Sequence, residues 1–156
     1  MPVRNLRDIP PLLAPGQCLL GLDNGAKHIG VAISDPGLCL ASPLTTLERG
    51  KFKDLQAALT KIITERNIGA IVIGLPLQLD GQTGPAAQSA RTLASNLEKA
   101  FAPNMALWDE RFSTKVMQRE LIDVADMSRA KRAAIIDKLA ASYMLQGALD
   151  FLKQNG

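Results

Sequence analysis

The stretch LLGLDNGAKHIGVAISD, from Leu19 to Asp35, runs an apolar strand into an aspartate, turns, and sends a second apolar strand back. Asn24 and Gly25 supply the turn signal between the two runs. Asp23 closes the first run, next to the buried-strand types Leu20 and Leu22. An ionised carboxylate buried there alone would cost roughly several kcal/mol. Either its side chain bonds its own backbone in the turn, or a partner neutralises it. A divalent cation is the usual partner where carboxylates cluster.

Working outward, a third strand signal covers about Leu38 to Leu47, and the short links between the three predict an antiparallel meander. The period then changes. Phe52, Leu55, Leu59, Ile62 and Ile63 recur at helical spacing and predict an amphipathic helix from Phe52 to Arg66. The continuous run AIVIGLP, Ala70 to Pro76, is typical of a strand buried on both faces. Pro85 fits the first turn of a helix carrying Ala86, Ala90, Leu93, Ala94 and Leu97. MALWDER is a further buried strand that ends in charge. Ser113 caps a short predicted helix to about Val124, and Ser128 a long one through Leu152 with Ile136, Leu139, Ala140 and Leu149 inward.

The resulting order, βββαβαβαα, is a meander followed by two crossover units. It predicts an α/β fold with one mixed five-stranded sheet and helices on both faces. Four of the nine prolines fall before residue 18, so residues 1–17 read as an extended or mobile arm ahead of a domain over 18–153.

Composition narrows the function classes. A chain of 156 residues with 47% hydrophobic and 21% charged content suits one globular domain. No apolar run approaches the ~20 residues of a membrane span, and the N-terminus has no leader-like apolar stretch. Two cysteines, Cys18 and Cys39, are too few for a disulfide framework and read as reduced buried thiols of a cytoplasmic protein. The net charge of +3 permits nucleic-acid binding, while 4% aromatics argue against a base-stacking platform.

Ligands gather outside the carboxyl ends of parallel strands, and acidic residues converge on that edge. Asp23 ends the first strand, Asp109 and Glu110 end MALWDER, and Asp137 lies in the last helix beside Ala133, Ala134, Ala140 and Ala141, which let a helix approach the sheet closely. Two carboxylates at ~4 Å repel by about 4 kcal/mol at an effective dielectric near 20. Two Mg²⁺ or Mn²⁺ ions would offset that repulsion and suit phosphodiester hydrolysis.

The segments GLDNGAKHIGVAISD, VIGLPLQLDGQTGPAAQSAR, WDERFST and RAKRAAIIDKLAASYMLQGALD, between Leu19 and Asp150, resemble the YqgF family of ribonuclease H-like proteins, also called RuvX-type resolvases. The resemblance implies a ribonuclease H-like fold and a metal-dependent nuclease, assigned chiefly to maturation of the small-subunit (16S) ribosomal RNA precursor. It implies Asp23, Glu110 and Asp137 as the metal-binding catalytic carboxylates, Asp109 as a supporting group behind them, and Asp80 near the substrate path. The chain departs from the family pattern at His28, where arginine is usual, and at Phe112, where leucine is more frequent. A role needing a permanent bidentate cation at position 28 is thereby put in doubt.

Lys27, Arg91, Arg111, Lys115, Arg129, Lys131 and Arg132 fall in the same motifs and are the expected phosphate contacts. Arg129, Lys131 and Arg132 open the helix that carries Asp137, where a phosphate would satisfy both the helix dipole and the cations. The glycine-bearing loop GLPLQLDGQTGP reads as a substrate loop, not a P-loop, because no GK[ST] follows.

The expected protein is thus a cytoplasmic, monomeric or weakly dimeric nuclease acting on structured RNA, with pre-ribosomal particles as a further expected partner. A Holliday-junction resolvase acting on branched DNA is the first alternative, and it requires two coordinated sites. A non-catalytic assembly factor is the second, disfavoured because all three carboxylate positions are filled. An actin-like ATPase needs two related lobes, and this chain has room for one.

Overall fold

The computed structural model describes residues 3–4, 6–24, 28–48, 50–75, 85–100, 104–109 and 129–155. Its strands are β1 (Val3–Arg4), β2 (Cys18–Asn24), β3 (His28–Ser34), β4 (Ala41–Glu48), β5 (Ile68–Leu75) and β6 (Asn104–Asp109). Its helices are α1 (Phe52–Glu65), α2 (Pro85–Ala100) and α3 (Arg129–Asn155). The strands form one sheet in the order β1-β6-β5-β2-β3-β4. β2, β3 and β4 pair antiparallel, whereas β5 joins β2 and β6 joins β5 in parallel. The five strands of the expected mixed sheet are present, with a two-residue strand added at the β6 edge.

The added strand comes from the proline-rich arm, which docks where an extended or mobile segment was expected. Leu6 and Ile9 are buried in the core cluster on the α3 face of the sheet. Leu13 and Gln17 fill the space over Gly69, where a Cβ would overlap both. Asn67 adopts the left-handed φ of 54° and its side chain donates to the Gly16 carbonyl at 3.2 Å, fastening the arm's end beside β5. Asparagine tolerates that conformation better than most residues.

Strand alternation divides the core. Leu20, Leu22, Ile29, Val31, Ile71 and Ile73 pack on Leu55 and Leu59 of α1 and on Leu93, Ala94 and Leu97 of α2. Leu19, Ala32, Ala70, Val72 and Ala106 pack on Ala141, Met144, Leu145, Ala148, Leu149 and Leu152 of α3. Each fully buried leucine contributes about 1.5–3 kcal/mol by leaving water. The inward stripe of α3 differs in part from the expected one: Leu149 is buried, Leu139 and Ala140 are half-buried, the Ile136 side chain lies outside the described residues, and Leu145 packs closely on Gly21.

Two further expectations shift. β4 starts at Ala41, three residues late, because Asp35 organises the preceding residues into a turn. Pro43, which lacks an N–H to donate, is accommodated on this edge strand beside a register shift at Val31/Ala32. Cys18 is buried but Cys39 is exposed. Burial, and secondarily the charge of Asp35, pushes the Cys18 thiol up. The short helix expected from Ser113 lies outside the described residues.

Candidate active site

Parallel pairing of β2, β5 and β6 brings their carboxyl ends to one edge. Asp23 pairs with Gly30 of β3. One step beyond the last β2–β5 pair, Leu22 with Ile73, the neighbour on the other side is Gly74, which itself pairs with Trp108. The row across the sheet is therefore Gly30, Asp23, Gly74, Trp108. Asp23 is half-buried, and the residues level with it on the two adjacent strands are glycines. Asp109 ends β6 level with Leu75, at the same edge.

Alternation assigns Asp23 to the face covered by α3, since Leu19 on that face packs against α3 and Leu20 and Leu22 pack on the other. The next residue points the opposite way. Asn24 Nδ2 donates to Ser89 Oγ of α2 at 3.0 Å, and Asn24 Oδ1 is buried without a hydrogen-bond partner. Gly21, two residues before Asp23, is where α3 touches the strand. A Cβ there would meet the Leu145 Cβ at 3.0 Å. Position 137 lies on the same stripe of α3, one turn before the buried Ala141 and eight residues, or ~12 Å of helix, before Leu145.

The other predicted residues distribute as follows. Arg129, Lys131 and Arg132 occupy the first turn of α3. Arg91 is exposed on α2, on the opposite face of the sheet from α3. His28 opens β3, half-buried, level with Glu48 of β4, and alternation sets it on the Asp23 face. Trp108 packs partly buried against the α3 cluster, its ring 5.1 Å from that of Phe151. Lys27, Asp80, Glu110, Arg111 and Lys115, and the side chains of Asp109, Arg129, Lys131, Arg132 and Asp137, lie outside the described residues.

Among the described residues no three metal-ligating side chains converge. The donor set still fits a hard cation: carboxylate oxygens suit Mg²⁺ and Mn²⁺, and the strand neighbours level with Asp23 carry no side chain of their own. Sequence reading missed Asn24 and Ser89, whose contact spans 65 residues of chain. It also missed the glycine flanks, which were visible in HIGVAIS and VIGLP once the register was known.

The sequence pattern of the family described as "RuvX: Holliday junction resolvase" matches residues 17–151. A protein of Gluconacetobacter diazotrophicus named "Putative pre-16S rRNA nuclease" is 49% identical over 96% of this chain and 97% of its own length. Like-named proteins of Gluconobacter oxydans and Rhodospirillum centenum are 49% and 43% identical, over 96% and 99% of this chain and 94% and 84% of theirs. Among solved structures, Thermus thermophilus RuvC in complex with a Holliday junction substrate is 14% identical with a TM-score of 0.48, covering 89% of this chain and 97% of that one. The yeast mitochondrial Holliday junction resolvase Ydc2 is 14% identical with a TM-score of 0.47, covering 96% and 88%. No described helix is long and apolar enough to cross a membrane.

Proposed function

The chain belongs to the RuvX family and is a nuclease, a hydrolase of phosphodiester bonds; on that premise we propose that it trims the 5' end of the small-subunit ribosomal RNA precursor, with Asp23, Glu110 and Asp137 holding divalent metal. Family membership suggests metal dependence in general. The choice of two Mg²⁺ or Mn²⁺ ions and of these three ligands is part of the proposal, as are a cytoplasmic setting, a pre-ribosomal context and a monomeric or weakly dimeric state. The observation that carries the site is Asp23 at the carboxyl end of β2, with glycine on both neighbouring strands. For the substrate it is the name shared by relatives 43–49% identical over nearly the whole chain.

In this reading each residue has a task. Asp23, fixed by a buried strand, presents oxygen ligands at a rigid edge. Asp137 is carried to the same face by a helix that Leu145 seats on Gly21. Asp109 supports Glu110 from the end of β6. Lys27, Arg111, Lys115, Arg129, Lys131 and Arg132 bind phosphates and orient the backbone without reading sequence. Asp80 borders the path of the strand. When bound, paired divalent ions supply water activation and charge stabilisation at the leaving oxygen.

The test is thermal melting with titrated Mg²⁺ or Mn²⁺, alongside cleavage of precursor RNA. Wild type should gain stability with metal and cut. Asp23→Asn, Glu110→Gln and Asp137→Asn should fold, lose cleavage and lose the metal-dependent gain. An equal metal response in all three variants would remove the proposed site. The family description favours a second reading, resolution of four-way DNA junctions. Paired symmetric nicks faster than precursor cleavage at matched salt, and lost in Asp23→Asn, would establish it in place of the first.

A further inference from the structure

A cleft of about 410 Å³ opens between α1 and α2, lined by Ile29, Gly50, Phe52, Leu55, Gln88, Ser89, Thr92, Leu93 and Asn96. It lies on the sheet face opposite α3 but starts at the same edge as Asp23. Two of its walls meet Asn24, the residue after Asp23: Ile29 pairs with it across β2–β3, and Ser89 accepts its side-chain N–H. The volume lies in the range of small-ligand sites.

The lining has two chemistries. Ile29, Leu55 and Leu93 make an apolar floor, with the Phe52 ring beside it. Gln88, Thr92 and Asn96 stand one helical turn apart along α2, all exposed, with Ser89 half-buried next to them. The Thr92 hydroxyl donates back to the Gln88 carbonyl at 3.0 Å, so its oxygen is left as an acceptor. Glutamine and asparagine each offer a donor and an acceptor together. Among the described residues, those that line the cleft are all uncharged, a lining suited to a neutral group with a polar edge. Cations stand next to it in the chain: Lys51 and Lys53 on either side of Phe52, and Arg91 between Ser89 and Thr92.

We propose that this cleft receives one unpaired nucleobase of the nucleic-acid strand whose backbone lies at Asp23, with the base edge read by Gln88, Thr92 and Asn96 and its face on the apolar floor. A base has that combination of flat apolar face and donor–acceptor edge. It must be unpaired, because pairing occupies the same edge and stacking holds the base in the helix. Lys51, Lys53 and Arg91 then meet the flanking phosphates. The enzyme therefore selects substrates with single-stranded nucleotides beside the cut. This rests on the nuclease reading of the Asp23 edge.

The test measures affinity for two RNAs of equal length, one blunt duplex and one with a single-stranded overhang. Fluorescence anisotropy without divalent metal, at fixed salt, reads binding without cleavage. Wild type should bind the overhang RNA about tenfold more tightly, the scale of one good base contact. Gly50 lines the cleft and a Cβ there meets nothing within 4 Å, so Gly50→Leu adds bulk at the cleft wall without a clash. Gly50→Leu and, independently, the exposed-site variant Asn96→Ala should bring the two affinities within about twofold while blunt-duplex binding stays unchanged. An undiminished overhang preference in both variants, or none in a wild type that binds and cuts, overturns the cleft assignment alone. A wild type that neither binds nor cuts RNA or junction DNA overturns the reading of the Asp23 edge, and this inference with it.

Discussion

Leu145 sits so close to Gly21 that a methyl group on the glycine would stand 3.0 Å from the leucine Cβ. The obstructing atom is the first of its side chain, so rotation cannot move it away. Gly21→Ala should therefore displace α3 or β2 and destabilise the fold by about 1–3 kcal/mol, as overpacking does. Activity should fall more than stability alone accounts for, because the shift moves position 137 relative to Asp23. Denaturant unfolding and cleavage rates under fully folded conditions separate the two effects. Full activity in a folded Gly21→Ala protein would show that α3 does not set the site's spacing.

Asn24 and Ser89 tie the edge of the sheet to α2. Ser89→Ala leaves a part-buried amide N–H without its acceptor and should cost about 1–3 kcal/mol. Asn24→Ala removes the amide together with its unpartnered oxygen. The double variant should then be less destabilised than the sum of the singles, with a coupling of about 0.5–2 kcal/mol in a double-mutant cycle. Strict additivity would mean that the contact contributes nothing to stability.

Asp35 organises the turn into β4. Its Oδ1 accepts the backbone N–H groups of Cys39 at 2.7 Å and Leu40 at 3.0 Å, and Leu38, just before them, is held at φ 55°. The bonds from Leu40 and then Cys39 hold the carboxyl below its ordinary value. A carboxyl lowered by folding stabilises fully above the unfolded value near pH 4, and the gain fades as pH falls through the lower folded value. Asp35→Asn should thus be slightly less stable than wild type at pH 7, and the gap should close toward pH 3. A gap that widens on acidification would contradict the assignment.

In the proposed function Arg111 and the cations at the start of α3 contact phosphates, so their removal should change salt dependence before sequence preference. Ala substitution at Arg111, Arg129, Lys131 or Arg132 should weaken binding about equally on unrelated RNA sequences. Each lost contact should lower the salt slope by roughly 0.7–0.9. A variant that changes sequence preference with the slope intact would be a base contact.

Much of this architecture is legible in local pattern because burial imposes it. Alternation through Leu20 and Leu22, the unbroken run at Ala70, and helical spacing from Phe52 onward each reflect a face that must leave water. β1 was not legible. Its two residues have no period, and they become a strand only because β6 offers an open edge. The arm's docking depends on Leu6, Ile9 and Asn67, scattered residues whose partners are distant in sequence. At the site, Asp23 announced itself as a carboxylate inside an apolar run. Glu110 and Asp137 stood out by place, at a strand end and on an alanine-lined helix, but only the resemblance implied their role, since charge at a strand end or on a helix is ordinary. The Asn24–Ser89 contact joins a turn to a helix with no pattern linking them.

The opposed directions of Asp23 and Asn24 make the candidate site sensitive to parity. Each residue of β2 changes sides with its neighbour, so inserting or deleting one residue between Cys18 and Leu22 exchanges the roles of the two faces beyond it. The carboxylate would turn toward α2 and the amide toward α3. A two-residue change preserves sidedness and alters only reach. Length variation in this strand is thereby confined to even steps, whereas the loops outside the sheet carry no such restriction.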